Sequence, residues 1–205
     1  MAVKITDKTN VPELLNIINE LNSKKLLIGV FGGVDSFLVE IAYANEFGLT
    51  ITPKNAKNLA IPVSRKSKGK RPRDFSNLEF IKVGDEKFLV QNKRKRNGVE
   101  RFEVLFVLVQ SVNIPERSFI RASFDANMSK IENYVDRSLS QIFNFQLPVS
   151  TFYEELGAYC TSLIKKYMTD LKSPPNSSLT QSMKGFNNPL INTGRLRNSI
   201  TFKVI

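Results

Sequence analysis

The sequence predicts an α+β fold: a small, mostly antiparallel sheet packed with several helices and carrying a basic β-hairpin and loop insertion. Three observations lead there. Apolar residues recur at helical spacing towards both ends of the chain. Short runs rich in Val, Ile, Leu and Phe, punctuated by glycine and proline, occupy the middle. The helices cluster around a few separated strands, an order that belongs to α+β proteins.

In chain order, Asn10 is placed to cap a helix with Pro12 in its first turn, and Leu14, Leu15, Ile17, Ile18 and Leu21 give residues 11–22 an amphipathic helical pattern. Residues 25–31, bounded by Gly32-Gly33, read as a short buried strand. Asp35 or Ser36 caps a second helix that runs through Phe37, Val39, Ile41 and Tyr43 and ends near Gly48. Residues 80–83 and 87–90 flank Gly84-Asp85-Glu86 as a β-hairpin, and residues 104–112 form a further strand. Pro115 is expected to open a helical part, with a repeat from Phe119 to Phe143. Ser150 or Thr151 caps the next helix, whose Leu156, Tyr159, Cys160, Leu163, Ile164, Tyr167 and Leu171 line one face. Ser173-Pro174-Pro175-Asn176 ends it, a short helix around Leu179 and Met183 follows, and residues 199–205 close the chain as a strand. The whole is expected to form one domain, residues 1–205, with 50–113 as an elaborated basic β segment inside it.

Composition removes several classes of function. With no histidine, the usual general base at neutral pH and every Ser-His or Cys-His pair are absent. Cys160 is the only cysteine, so neither an intrachain disulfide nor an all-cysteine metal site is possible, and on an apolar helix face it reads as core. Asp35, Glu40, Glu46, Glu154 and Glu155 form no recognisable metal-ligand pattern, and acids at a helix N-terminus follow from the macrodipole alone. Gly29, Gly32 and Gly33 fit no nucleotide-binding fingerprint and read as a turn. No enzyme, cofactor or metal is expected. The chain has no apolar run near the roughly 20 residues of a membrane span, and its first residues do not resemble a signal peptide. The expectation is a cytoplasmic origin without membrane association.

The charge is unevenly placed. Residues 54–101 hold 15 Lys and Arg against 5 Asp and Glu, which leaves +10 of the chain's +11 in that stretch. Two runs dominate it: Arg65, Lys66, Lys68, Lys70, Arg71 and Arg73, then Lys93, Arg94, Lys95 and Arg96. They are candidate contacts for DNA or an acidic protein, set against the plainer reading of charged loop tips in water. Aromatics do not alternate with the cations, so a single-strand stacking platform is not indicated.

Three segments together resemble a known family. Val39-Glu40-Ile41-Ala42-Tyr43-Ala44-Asn45-Glu46-Phe47-Gly48 is similar to an A-x-x-x-E-F/Y-G segment, and Ile114-Pro115-Glu116-Arg117-Ser118-Phe119-Ile120-Arg121 to an I-P-x-R-x-F-L/I-R signature. Pro189-Leu190-Ile191-Asn192-Thr193-Gly194-Arg195-Leu196-Arg197-Asn198-Ser199-Ile200 resembles P-L-I/V-D-T-G-x-L-x-x-S-I, with Asn192 where Asp is frequent. In the same way Ser118 stands where proline is common. These motifs, with a segment at residues 51–62, resemble the neck and tail-completion (head–tail joining, virion morphogenesis) proteins of phages, closest to those of Mu-like phages. The resemblance covers about residues 26–205.

It implies a structural virion protein, made in the host cytoplasm, whose homo-oligomeric ring lies between the head connector and the tail, among other neck proteins and near packaged DNA. Glu46, Arg117, Arg121, Arg195 and Arg197 become candidates for subunit contacts or for purely architectural roles. Arg117 and Arg121, four apart, are expected to share a helix face and pair with acids. Asn192 or Thr193 is expected to cap the turn at 194–198. The alternative from charge alone is a nonspecific nucleic-acid-binding protein acting through residues 54–101.

Overall fold

The computed structural model describes residues 10–33, 35–96 and 99–205, with the backbone alone for 93–96, 99 and 100. The first half of the chain runs α1 (Val11–Ser23), β1 (Leu26–Gly29), α2 (Ser36–Phe47), β2 (Leu49–Ile51), β3 (Leu59–Pro62), a 3-10 turn (Pro72–Asp74), β4 (Leu78–Val83) and β5 (Glu86–Arg96). The second half runs β6 (Val99–Val109), β7 (Val112–Ile114), α3 (Arg121–Phe143), α4 (Val149–Asp170), α5 (Ser178–Lys184), α6 (Arg195–Ser199) and β8 (Thr201–Val204). The fold is α+β, and the strands form three antiparallel sheets: β1–β8, β2–β7 and β3–β6–β5–β4.

The chain divides into two compact units. One comprises the described residues of Met1–Ala42 together with Ser118–Leu171 and Thr193–Ile205; the other comprises Tyr43–Arg117 and Lys172–Asn192.

The first unit is built on α3 and α4. Ile142, Val149 and Phe152 are buried where the two helices meet, and Ile17 and Leu21 of α1 pack onto them with Val135, Leu139 and Leu156. Tyr153 closes this core by donating its hydroxyl to the Leu21 carbonyl at 2.9 Å. Further along α4, Cys160, Ile164 and Met168 are buried. The β1–β8 ribbon pairs Leu26 with Val204 and Ile28 with Phe202. Gly157 of α4 lies directly against the Phe202 ring, and this bare spot lets helix and ribbon approach closely.

In the second unit, β4 and β5 form the expected hairpin, with Val83 opposite Glu86 and Gly84 at φ +59° in the turn. Between β5 and β6 the register slips: Leu89 pairs with Phe106, but Val90 pairs with Val104. Leu105 is therefore a bulged residue, and both it and Phe106 are fully buried.

Several sequence expectations need correction. Residues 25–31 shorten to the four-residue β1, which is not a buried strand: its sheet neighbour is β8 and Leu27 is 42% exposed. The strand expected over 104–112 starts earlier, at Val99, and ends at Val109; the chain then turns to pair β7 with β2. Pro115 does not open a helix: the Arg117 N–H donates to the distant Asn45 carbonyl at 2.6 Å, and α3 begins only at Arg121. Arg117 and Arg121 therefore do not share a helix face.

The caps differ as well. Asn10 makes no side-chain capping bond, α4 starts from Pro148 and not from Ser150 or Thr151, and Gly194 at φ +78° precedes α6 without a bond from Asn192 or Thr193. Side chains do cap α2 and α5. Asp35 Oδ1 accepts the Phe37 N–H at 3.1 Å, and Ser177 Oγ accepts the Thr180 N–H at 3.3 Å.

Candidate functional site

The first basic run forms a loop between β3 and β4, and the Leu105 carbonyl of β6 holds its start. The Leu105 carbonyl accepts both the Val63 N–H at 2.9 Å and the Ser67 hydroxyl at 2.7 Å. Ser67 is thus completely buried in the middle of a cationic segment. At the far end, Phe75 turns inward and meets Phe106 edge-on, with ring centroids 5.7 Å apart. Between these anchors, the Arg71 N–H donates to Asp74 Oδ2 at 2.7 Å and starts the 3-10 turn.

The side chains of Arg65, Lys66, Lys68, Lys70, Arg71 and Arg73 are all exposed. Lys66 Nζ donates to the Gln91 side-chain oxygen on β5, and Lys70 Nζ stands 5.4 Å from the centre of the Phe75 ring. Among the described residues, none of the six forms an ion pair with a carboxylate. The second run, Lys93–Arg96, follows Gln91 along the same strand, and its side chains lie outside the described residues. Lys66 thus reaches the strand that leads into the second run, a link their separation in sequence does not reveal.

The motif residues have a different fate. Arg117 is only 7% exposed, and its guanidinium donates from Nε to the Pro174 carbonyl and from Nη2 to the Pro175 carbonyl, both at 2.9 Å. A longer 3.5 Å contact runs from Nη1 to Asn45 Oδ1. Burial pushes the Arg117 pKa down. Its neighbour Lys184 is also lowered, first by burial and then by the charge of Arg117. Lys184 Nζ donates to the Asn188 and Ile191 carbonyls, both at 3.0 Å, and the buried Asn176 amide donates to Asn188 as well. Asn188 Oδ1 in turn accepts the Leu190 and Ile191 N–H groups. Gly48, at φ +72°, lies so close to Glu116 that a Cβ there would stand 3.1 Å from its backbone nitrogen. All three motif segments thus send residues into one polar knot, which fixes backbone.

Of the other candidates, Glu46 is buried and Arg121 is exposed. Arg195 Nη2 pairs with Asp35 Oδ2 at 2.6 Å and so ties the start of α6 to the start of α2. Arg197 is half-buried, and its Nε has no hydrogen-bond partner among the described residues.

Cys160 is buried and its thiol pKa is raised by that burial, the reverse of a reactive cysteine. Labelling of the native protein with a thiol reagent is expected to be at least about 100-fold slower than in denaturant, because it must await an opening of the α3–α4 core. Native labelling at the denatured rate would contradict this placement.

Among the described residues, no group of three or more His, Cys, Asp or Glu could hold a metal ion, and no helix is long and apolar enough to cross a membrane. A recess of about 560 Å³ beside Arg117 is lined by Asn113, Asn176, Ser177 and Thr180 among others, with no carboxylate or cysteine in its wall.

Sequence reasoning missed three features: the Ser67 anchor, the Asn176–Lys184–Asn188 latch, and outward apolar side chains on α1 and α2. Val11, Leu15 and Ile18 of α1 are 42–55% exposed, on the face adjoining the one that carries Ile17 and Leu21 into the core. Tyr43 and Phe47 of α2 are also exposed, with ring centroids 4.9 Å apart. The signal for α1 was present, since its apolar positions are too many for a single helical stripe. In comparisons with known proteins, no family model, no curated protein and no solved structure matches the chain significantly.

Proposed function

We propose that this chain is a structural protein of the phage neck, or tail-completion region, acting as a ring subunit that joins the head connector to the tail. The observation that carries the reading is the apolar outer face of α1. A helix that packs Ile17 and Leu21 onto the core while holding Val11, Leu15 and Ile18 in water on the adjoining face is suited to a second contact. Ring subunits bury large areas against neighbours, and apolar helix faces are economical ways to do so. The surroundings of the motifs support the same reading: Arg117 within the second segment, and Lys184 and Asn188 just before the third, are used up in holding backbone, which is how residues behave when they maintain a scaffold and leave assembly to the surface.

The test is the oligomeric state by native mass spectrometry and light scattering across a concentration series. The wild-type chain is expected to form a defined closed oligomer. Leu15→Glu with Ile18→Glu is expected to yield monomers, with unfolding free energy changed by no more than about 0.5 kcal/mol because both sites face solvent. A wild-type chain that remains monomeric throughout, or a double variant that assembles normally, would overturn the proposal.

A further inference from the structure

We infer that the loop from Ser64 to Asp74 is a preformed contact surface for the phosphate backbone of double-stranded DNA. The inference goes beyond the assembly role and does not depend on it, since it rests on the loop alone.

Three observations carry it. The first is charge without partners. Arg65, Lys66, Lys68, Lys70, Arg71 and Arg73 are exposed within nine residues, and none of them is paired with a carboxylate among the described residues. Asp74, the acid nearest in sequence, has one oxygen occupied by the Arg71 N–H. Six such cations placed together repel one another, and a polyanion relieves that repulsion while releasing its own condensed counterions.

The second is preorganisation. A cationic loop usually loses conformational freedom on binding, which offsets part of the gain. Here Ser67 is fixed to the Leu105 carbonyl, Phe75 is packed on Phe106, and Arg71 is held by Asp74, so the backbone is already restrained at three points. Val63 continues the β3–β6 register opposite Leu105, so the same carbonyl that closes this ladder also holds Ser67.

The third observation decides between partners. Protein interfaces depend on a few desolvated apolar or aromatic anchors. From Arg65 to Arg73 the loop has no apolar side chain except Pro72, and its aromatic neighbour Phe75 points into the protein. It presents donors and charge with nothing to bury. That suits a partner with regularly repeated charge more than a folded acidic protein. The lack of exposed aromatics interleaved with the cations also favours duplex over single strand, whose binding uses base stacking. No helix or ribbon projects from this loop, so contact is with phosphates and independent of base sequence.

The experiment is fluorescence anisotropy of the full chain with a labelled 20-base-pair duplex at several salt concentrations. Each neutralised phosphate contributes about −0.9 to the slope of log K against log salt, so three to five contacts give a slope of roughly −3 to −5. The variant is Arg65→Gln, Lys68→Gln, Arg71→Gln and Arg73→Gln, chosen because these side chains form no ion pair or ring contact among the described residues. A matched control, Lys130→Gln, Arg137→Gln, Lys166→Gln and Lys172→Gln, removes the same charge elsewhere. The loop variant is expected to weaken binding at least about 10-fold and to flatten the slope by about 3, and the control to change affinity by less than about 3-fold. Equal losses in both variants would mean that net charge alone is responsible and would overturn the inference. So would the absence of wild-type binding at low salt. Competition by polyglutamate as effective, charge for charge, as duplex DNA would reassign the surface to an acidic protein. If the loop variant loses DNA binding but keeps its oligomeric state, this surface and the α1 face are separate.

Discussion

Gly157→Ala is expected to destabilise the protein by about 3 kcal/mol, the upper end of the usual cost of overpacking. A Cβ at this position would fall on the Phe202 ring, reaching Cγ as well as the outer carbons. Because Cγ is the root of the ring, a rotation that moves only the tip does not clear the overlap. Either Phe202 leaves its place or β8 shifts, and β8 is held to β1 by the pairing of Ile28 with Phe202 and by mutual backbone bonds between Lys25 and Ile205. Urea unfolding of the variant measures the cost. Adding Phe202→Leu should recover part of it, a coupling that a double-mutant cycle reads directly. A cost within about 0.5 kcal/mol would mean that α4 does not seat the ribbon at this point.

Arg117→Ala should cost a similar amount, about 3 kcal/mol. The guanidinium is the shared donor for the Pro174 and Pro175 carbonyls, and removing it leaves acceptors in the second unit without their charged partner. Arg117→Lys is the more informative variant. A lysine keeps the charge but replaces a planar fork by a single point, so it cannot span two successive carbonyls in the same geometry. It is expected to restore less than half of the loss. Full restoration by lysine would show that charge alone matters, and that the two carbonyl bonds are incidental.

These two sites illustrate what could be read in advance. The long helices and the β4–β5 hairpin were legible because each shows its pattern of apolar residues within one continuous stretch. The two units were not legible, because each is assembled from separated segments. Arg117 shows the same difficulty on the scale of one residue. Its spacing from Arg121 suggested a helix face, but its partners are carbonyls far along the chain, and backbone acceptors leave no mark in a sequence. The short β2 and β3 strands were also passed over. Leu49–Ile51 has only three residues and Leu59–Pro62 ends in proline, so neither has enough length to display a period of two. Of the candidate site, the cations were evident, whereas Ser67 was hidden among them: a serine between lysines looks solvated until the bulged carbonyl it meets is known.

The β1–β8 ribbon has a consequence for how the chain acquires its structure. The β3–β6–β5–β4 sheet closes within residues 59–109, its widest pairing joining Leu59 to Val109, so it can form once that stretch has emerged from the ribosome. Leu26, by contrast, waits for Val204. Until Thr201–Val204 have been synthesised, β1 is an unpaired strand and the Gly157 side of α4 has no ribbon to cover it. The unit containing α1 is therefore the last to be completed, and its apolar surfaces stay open longest during synthesis, when a chaperone or a second nascent copy has the best opportunity to reach them.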